Sequence, residues 1–168
     1  KLQNMNKINI TQKEQPSKQE LALYEPMKLW FSGYLKNKSS DANVEVFDVH
    51  KVYLSDFFAK AKFKKDFPDY SIYKIKVDLL GLVERDGQYE LIFIEVKDGN
   101  LNFSHLAQLL VYSKLVRPAR AILISPQGLS THLNDIINKY HRTDMLEYIP
   151  NQKIQLARWD SYRGANFI

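Results

Sequence analysis

YKIKVDLLGLVERDGQYELIFIEVK, residues 73–97, reads as a β-hairpin, and the rest of the chain can be placed around it. At its centre stands Arg85-Asp86-Gly87-Gln88, between two runs rich in aliphatic and aromatic residues. Asp-Gly in that setting is a strong turn signal, because a two-residue hairpin loop needs positive φ at both corners. The predicted strands are Tyr73–Glu84 and Tyr89–Lys97. With Asp86 and Gly87 at the corners, Arg85 faces Gln88, and counting back along both strands sets Asp78 opposite Glu95. Facing side chains on one side of a sheet have Cβ atoms about 5 Å apart. Lys97, two residues beyond Glu95, projects from the same side.

Leu80, Leu82, Leu91 and Phe93 share the face of the two acids, and Val77, Leu79, Ile92, Ile94 and Val96 form the other. Apolar residues on both faces predict a central hairpin, with the acids at the end of a buried strand pair. Two ionised carboxylates at that spacing repel by roughly 3 kcal/mol at an effective dielectric near 20. Lys97 supplies one compensating charge, and a divalent ion would supply more. Oxygen ligands without His or Cys suit a hard cation such as Mg²⁺ or Mn²⁺. The bland alternative is a structural ion cluster of Asp78, Glu95 and Lys97 with Lys76, which would face Lys97. If the acids repel in this way, Asp78→Ala should raise the stability of the metal-free protein.

Downstream, Phe103–Val116 is predicted as a helix that stops before Pro118. It carries His105, Gln108 and Tyr112 on one stripe and Leu106, Leu109 and Leu110 elsewhere. Gln108 is a candidate donor to a phosphate oxygen or a metal-bound water; a solvent-facing Gln is the plain alternative. Arg120–Ser125 reads as a buried strand, Leu129–His141 as a helix and Lys153–Trp159 as a late edge strand. Upstream, Ser17 and Glu20 have capping-box spacing ahead of a helix over Leu21–Leu35, in which Pro26 either makes a kink or begins the main part. Val44–Val49 is a predicted strand and Ser55–Phe63 a short helix. The class is therefore mixed α/β, with a flexible arm or appended segment at residues 1–16 and one domain over 17–168.

The 168 residues fit a single domain, and 45% hydrophobic with 26% charged residues is a folding composition. Zero Cys excludes a disulfide scaffold, a Cys-ligated zinc site and a thiol nucleophile. With no long apolar run and no signal-peptide pattern, the expectation is a cytoplasmic protein without a membrane partner. The net charge is +5, but residues 1–19 hold +3 of it, which is a weak global case for a polyanion partner. The local case rests on Lys60, Lys62, Lys64 and Lys65 around Phe63, either a solvated face or a phosphate-contacting patch. Arg117 and Arg120 are further candidates for backbone phosphates. His50, His105, His132 and His141 lack metal-ligand spacing, and neither a dinucleotide motif nor a P-loop occurs.

Asp78, then Glu95-Val96-Lys97 on the next strand, then Gln108-Leu-Leu-Val-Tyr112 on a helix together resemble the PD-(D/E)XK nuclease superfamily. Glu20-Leu-Ala-Leu-Tyr24-Glu25-Pro26 is similar to the first-helix element of some members. The resemblance covers roughly residues 17–126, though Val77 stands where many members have Pro. It implies a restriction-endonuclease-like fold, a central mixed sheet flanked by helices, and a Mg²⁺- or Mn²⁺-dependent DNA endonuclease of restriction or repair type. It further implies Asp78, Glu95 and Glu20 as metal ligands, with Glu25 as the fallback for Glu20 and the Val96 carbonyl as a further ligand. Lys97 would orient or deprotonate the attacking water, with Gln108 and Tyr112 in support. A domain of this size leads us to expect a homodimer or an accessory protein. The rival expectation is a catalytically inactive nucleic-acid-binding or scaffold domain of the same fold.

Overall fold

The computed structural model describes residues 13–168. In chain order the elements are α1 (Lys18–Lys38), β1 (Asn43–Asp48), α2 (Leu54–Phe58), α3 (Ala61–Lys64), β2 (Leu79–Arg85) and β3 (Gln88–Val96). There follow α4 (Phe103–Val116), β4 (Arg120–Ser125), α5 (Thr131–Asn134), β5 (Glu147–Ile149), β6 (Gln152–Lys153), β7 (Gln155–Asp160) and β8 (Gly164–Phe167). Six strands form one mixed sheet in the order β1-β2-β3-β4-β7-β8, and β5 pairs with β6 apart from it. β1, β2 and β3 run antiparallel in sequence; β4 lies parallel to β3 and to β7. The α/β class read from the sequence is the class of the structure.

The hairpin has the expected register, from Arg85↔Gln88 to Leu79↔Ile94. Asp86 (φ 53°) and Gly87 (φ 78°) occupy its corners, both in the positive-φ region that such a turn requires. The ladder then stops three pairs short of the expected one, because β2 starts at Leu79 and not at Tyr73. Asp78 lies outside β2, so it does not stand on a rung opposite Glu95, and Lys76 does not face Lys97. The cause is α2: Leu54 N–H donates to the Ile75 carbonyl (2.9 Å) and Ser55 N–H to the Tyr73 carbonyl (2.9 Å), which draws residues 73–75 away from β3. Beyond that bend the alternation slips. Val77 packs with Leu80, Leu82 and Phe93, not with Leu79 as simple alternation predicts.

α1 covers one face of the sheet. Tyr24, Met27, Phe31 and Leu35 recur at helical spacing and pack with Leu79, Val83, Ile92, Ile94 and Val96. The helix begins at Lys18 and runs through Pro26, which therefore does not mark its start. The other face is covered by α4, through Leu106, Leu109 and Tyr112, and by an aromatic group of Phe57, Phe58, Phe63 and Phe67. α4 and β4 keep the bounds expected of them. The predicted Leu129–His141 helix is instead the single turn α5 continued by a π-turn at Asp135–Lys139. β7 is interior, not an edge, because β8 pairs with its outer side. β8 enters at Gly164 (φ 85°), where an added Cβ would lie 1.8 Å from Trp30 Nε1.

Of the arm assigned to residues 1–16, residues 1–12 lie outside the described residues, while residues 13–16 are irregular chain leading into α1. Among the described residues, no helix is long and apolar enough to cross a membrane.

Candidate functional site

Three pieces of chain meet where β3 ends: the first turn of α1, the bend before β2, and the Glu95-Val96-Lys97 exit. The Ser17 side chain accepts a hydrogen bond from Glu20 N–H (3.0 Å) and so fixes the start of α1. The Glu20 carboxylate turns inward; its Oε1 lies 3.0 Å from the Tyr24 hydroxyl and 3.9 Å from Lys97 Nζ. Tyr24 follows one helical turn after Glu20, so both sit on the buried stripe. Its hydroxyl is also 2.7 Å from Asp78 Oδ1, so one phenolic proton serves two carboxylates.

Asp78 and Glu95 are 0% and 1% exposed, which makes their partners decisive. Asp78 Oδ2 accepts from Val96 N–H at 2.8 Å, an anchor made possible because Asp78 has left the ladder. Asp78 Oδ1 receives the Lys13 ammonium at 2.6 Å, and the same ammonium lies 2.7 Å from Glu95 Oε1 and 2.8 Å from Oε2. Lys97 Nζ is 3.0 Å from Glu95 Oε1. One cation thus bridges both acids, and their oxygens converge closely enough to share an ion.

The cluster sets three carboxylates, Asp78, Glu95 and Glu20, against the two ammonium groups of Lys13 and Lys97. Burial pushes the Asp78 carboxyl up, but Lys13, Lys97 and the Val96 N–H outweigh it and hold the group below its ordinary value. Glu95 goes the other way: burial raises it and the charge of Asp78 adds to the effect, against both lysines. Burial likewise raises Glu20 against the pull of Lys97. Lys97 is raised above its ordinary value, because Glu95, Asp78 and Glu20 overcome the burial that disfavours its charge. Burial and the neighbouring Glu95 push the Tyr112 hydroxyl up to about 12.

A cleft of about 360 Å³ opens onto Asp78. Its walls are Tyr112, His50, Tyr53 and Lys76, together with the arm residues Lys13, Glu14, Gln15 and Pro16. The His50 ring stands edge-on to Tyr24 at 5.1 Å, and its Nδ1 pairs with Asp48. Lys76 Nζ sits 4.7 Å from the centre of the Tyr53 ring, leaving Tyr53 44% exposed at the rim.

The sequence-derived candidates divide accordingly. Asp78, Glu95, Lys97 and Glu20 come together, and buried Tyr112 lines the cleft beside them. Glu25 does not join them; it is exposed and paired with Lys28 at 2.7 Å. Gln108 is half-buried on α4, and among the described residues no hydrogen bond ties it to the acids. Lys60, Lys62, Lys64 and Lys65 are exposed, but they do not line this cleft. Lys62 lies over Phe63, which packs on Tyr89 near the hairpin turn. Tyr89 is about 20 Å along β3 from Glu95. Arg120 is committed to Gln155 (2.7 Å) and Tyr34 (3.2 Å), and Arg117 ends α4 in the left-handed region. The His105 ring accepts from Asn102 N–H and completes the cap of α4, a structural role.

Sequence reasoning missed Tyr24 as a site residue, and also Lys13, His50 and Tyr53. Tyr24 had a signal, its i+4 position from Glu20. Lys13 had none, since its partners lie 65 and 82 residues away. Comparison with protein-family models, with curated proteins and with solved structures gives no match. Among the described residues, no group of three or more His, Cys, Asp and Glu side chains is arranged to hold a metal ion. The donor chemistry nevertheless fits a hard cation. Mg²⁺ is commonly bound by one or two carboxylates and keeps several waters, and here a bridging ammonium marks the point where positive charge is stabilised.

Proposed function

We propose that this chain is a Mg²⁺- or Mn²⁺-dependent nuclease that hydrolyses phosphodiester bonds in DNA, on a restriction-endonuclease-like core of the PD-(D/E)XK type. One observation carries the reading: two buried carboxylates, Asp78 and Glu95, are bridged by a single cation, with a second ammonium, Lys97, beside them at a cleft. The element order supports it, since α1 precedes the antiparallel strands β1, β2 and β3, with α2 and α3 inserted between β1 and β2, and α4 leads to β4, which is parallel to β3. Asp78 and Glu95 would hold the metal, with the Val96 carbonyl contributing and Glu20 reaching it through the shared Tyr24 hydroxyl or a water. When bound, the metal would supply Lewis-acid polarisation of the phosphoryl group and a water of lowered pKa.

The placement of Lys97, 3.0 Å from Glu95 Oε1 and 3.9 Å from Glu20 Oε1, supports a part for it as a charge. A lysine raised above its ordinary value stays protonated at neutral pH, so it serves as a fixed positive charge that orients the nucleophile and offsets charge in the transition state. Proton abstraction by Lys97, the other role that the resemblance offers, would require a bound metal to offset the Glu95, Asp78 and Glu20 charges that raise it. Lys76 and Tyr53 at the rim replace the Lys60–Lys65 stretch as first candidates to meet the scissile strand.

The test is to incubate the protein with plasmid, linear, single-stranded and branched DNA in Mg²⁺, Mn²⁺ or EDTA, beside Glu95→Ala and Lys97→Ala. Metal-dependent cleavage that both variants lose supports the nuclease. Binding without cleavage in any metal supports an inactive nucleic-acid-binding domain, and absence of both leaves a structural ion cluster.

A further inference from the structure

Lys13 belongs to no helix or strand, yet its side chain is only 9% exposed and it makes the shortest ion pair in the acid cluster, 2.6 Å to Asp78. The three residues after it, Glu14, Gln15 and Pro16, line the same cleft. The chain is held there from both sides of the bond to α1, because Ser17 caps the helix through Glu20 N–H while its hydroxyl pairs with Asp98 just past Lys97. Residues 13–16 are therefore anchored next to the site, and the Lys13 ammonium lies between the two acids.

From this placement we infer that Lys13 is a built-in competitor for the metal: its ammonium and the ion occupy the same position in turn, and residues 13–16 leave the cleft when the metal enters. The inference rests on the function proposed above. Its geometric basis is exclusion. Lys13 Nζ stands 2.6–2.8 Å from Asp78 Oδ1 and from both Glu95 oxygens. A Mg²⁺ ion on the same oxygens would sit about 2.0–2.1 Å from each, which leaves no room for an ammonium at the same point. Charge acts the same way. With three carboxylates and only Lys97 remaining, withdrawal of Lys13 leaves a net negative site that a divalent ion would balance. Retention of Lys13 leaves the metal-free fold closest to neutral. Because Gln15 and Pro16 travel with Lys13, one motion would expose both the cation position and the cleft to a DNA strand.

The experiment uses the full chain and Mn²⁺ as the probe, in wild type, Lys13→Gln and Lys13→Arg. A site open in only about a tenth of the molecules binds about tenfold more weakly than one always open. Lys13→Gln is therefore expected to bind Mn²⁺ about tenfold more tightly by calorimetry, and to melt at a lower temperature than wild type in EDTA. Lys13→Arg should keep the wild-type order of both. A second readout needs no variant: acetylation of the Lys13 amine, followed by mass spectrometry, should be slow in EDTA and fast at saturating Mn²⁺. Unchanged or weaker Mn²⁺ binding by Lys13→Gln, or Lys13 equally protected with and without bound Mn²⁺, overturns the inference while leaving the nuclease reading intact. Failure of wild type and Lys13→Gln alike to bind Mn²⁺ overturns both.

Discussion

The two ends of the β2–β3 hairpin belong to one ladder but are governed differently. At the turn, Arg85, Asp86, Gly87 and Gln88 are all exposed, and positive φ at two residues settles the geometry. At the other end, Asp78 and Glu95 are buried, and their placement depends on Tyr24 from α1, Lys13 from the arm and the pull of α2 on residues 73–75. The turn end is local chemistry that specifies register. The acid end is tertiary structure that assembles charge.

The largest effect should come from breaking the acid end. Asp78→Ala removes the acceptor of the Val96 N–H, half of the Tyr24 bridge and one partner of Lys13. Loss of one member of a buried, hydrogen-bonded ion cluster costs about 3–5 kcal/mol. Urea unfolding in EDTA should show a loss of that size, and Asp78→Asn, which keeps an oxygen for Val96 N–H, should recover part of it. The sequence reading expected the opposite sign, because it saw repulsion between two acids and had no view of Lys13. A rise in stability for Asp78→Ala would restore that reading and remove the special weight of the Val96 and Lys13 contacts.

Midway along the ladder sits Gly81, where an added Cβ would be 3.1 Å from both Ile92 Cβ and Leu35 Cδ1. Gly81→Ala should cost about 1–3 kcal/mol as an overpacked core site. Metal affinity should be unchanged, since α1 can shift at Leu35 without moving Glu20. A parallel loss of Mn²⁺ binding would show that the two ends are mechanically coupled through the ladder.

The same contrast accounts for what the sequence disclosed. The Asp86-Gly87 turn, the bounds of α4 and β4 and the Ser17 cap follow from spacing within a few residues or across one tight turn. Asp78, Glu95 and Lys97 do converge, but not by the facing rungs that the turn predicts, since Asp78 is placed by Tyr24, Lys13 and Val96 N–H. The early end of β2 does not follow from such spacing, because it depends on hydrogen bonds from Leu54 and Ser55, which are distant in sequence. Lys13 was invisible for the same reason. β8 escaped notice because Gly164–Phe167 is four residues long and starts at a glycine; its place depends on Trp30 packing over that glycine. The basic run from Lys60 to Lys65 was legible as charge, but periodicity could not show that Phe57 and Phe63 would fix it away from the cleft.

At the turn end, Gly87→Ala places a Cβ in the left-handed region, where nothing lies within 4 Å of it, so the penalty is purely conformational. That penalty is about 1–2 kcal/mol. The urea midpoint should fall accordingly, while Mn²⁺ affinity and any cleavage stay at wild-type values. An activity loss larger than the stability loss would mean that the turn itself meets substrate.

The smallest and most diagnostic change is Glu95→Gln, because the two acids differ in the sign of their shifts. Asp78 is held below its ordinary value, so its charge stabilises the fold; Glu95 is raised above 4.5, mainly by burial and then by Asp78. A carboxyl raised in the folded state contributes stability that is present below its unfolded pKa and is lost as pH rises through the folded one. Ionised Glu95 thus weakens the metal-free fold, and a neutral isostere escapes that weakening. In EDTA, Glu95→Gln should cost well under the roughly 3–5 kcal/mol of Asp78→Ala. Its urea midpoint should gain on wild type as the pH is raised from the acid side of 4.5 toward neutrality. A deficit that grows with pH would mean that Lys13 and Lys97 together outweigh burial at Glu95, and the division of labour between the two acids would have to be redrawn.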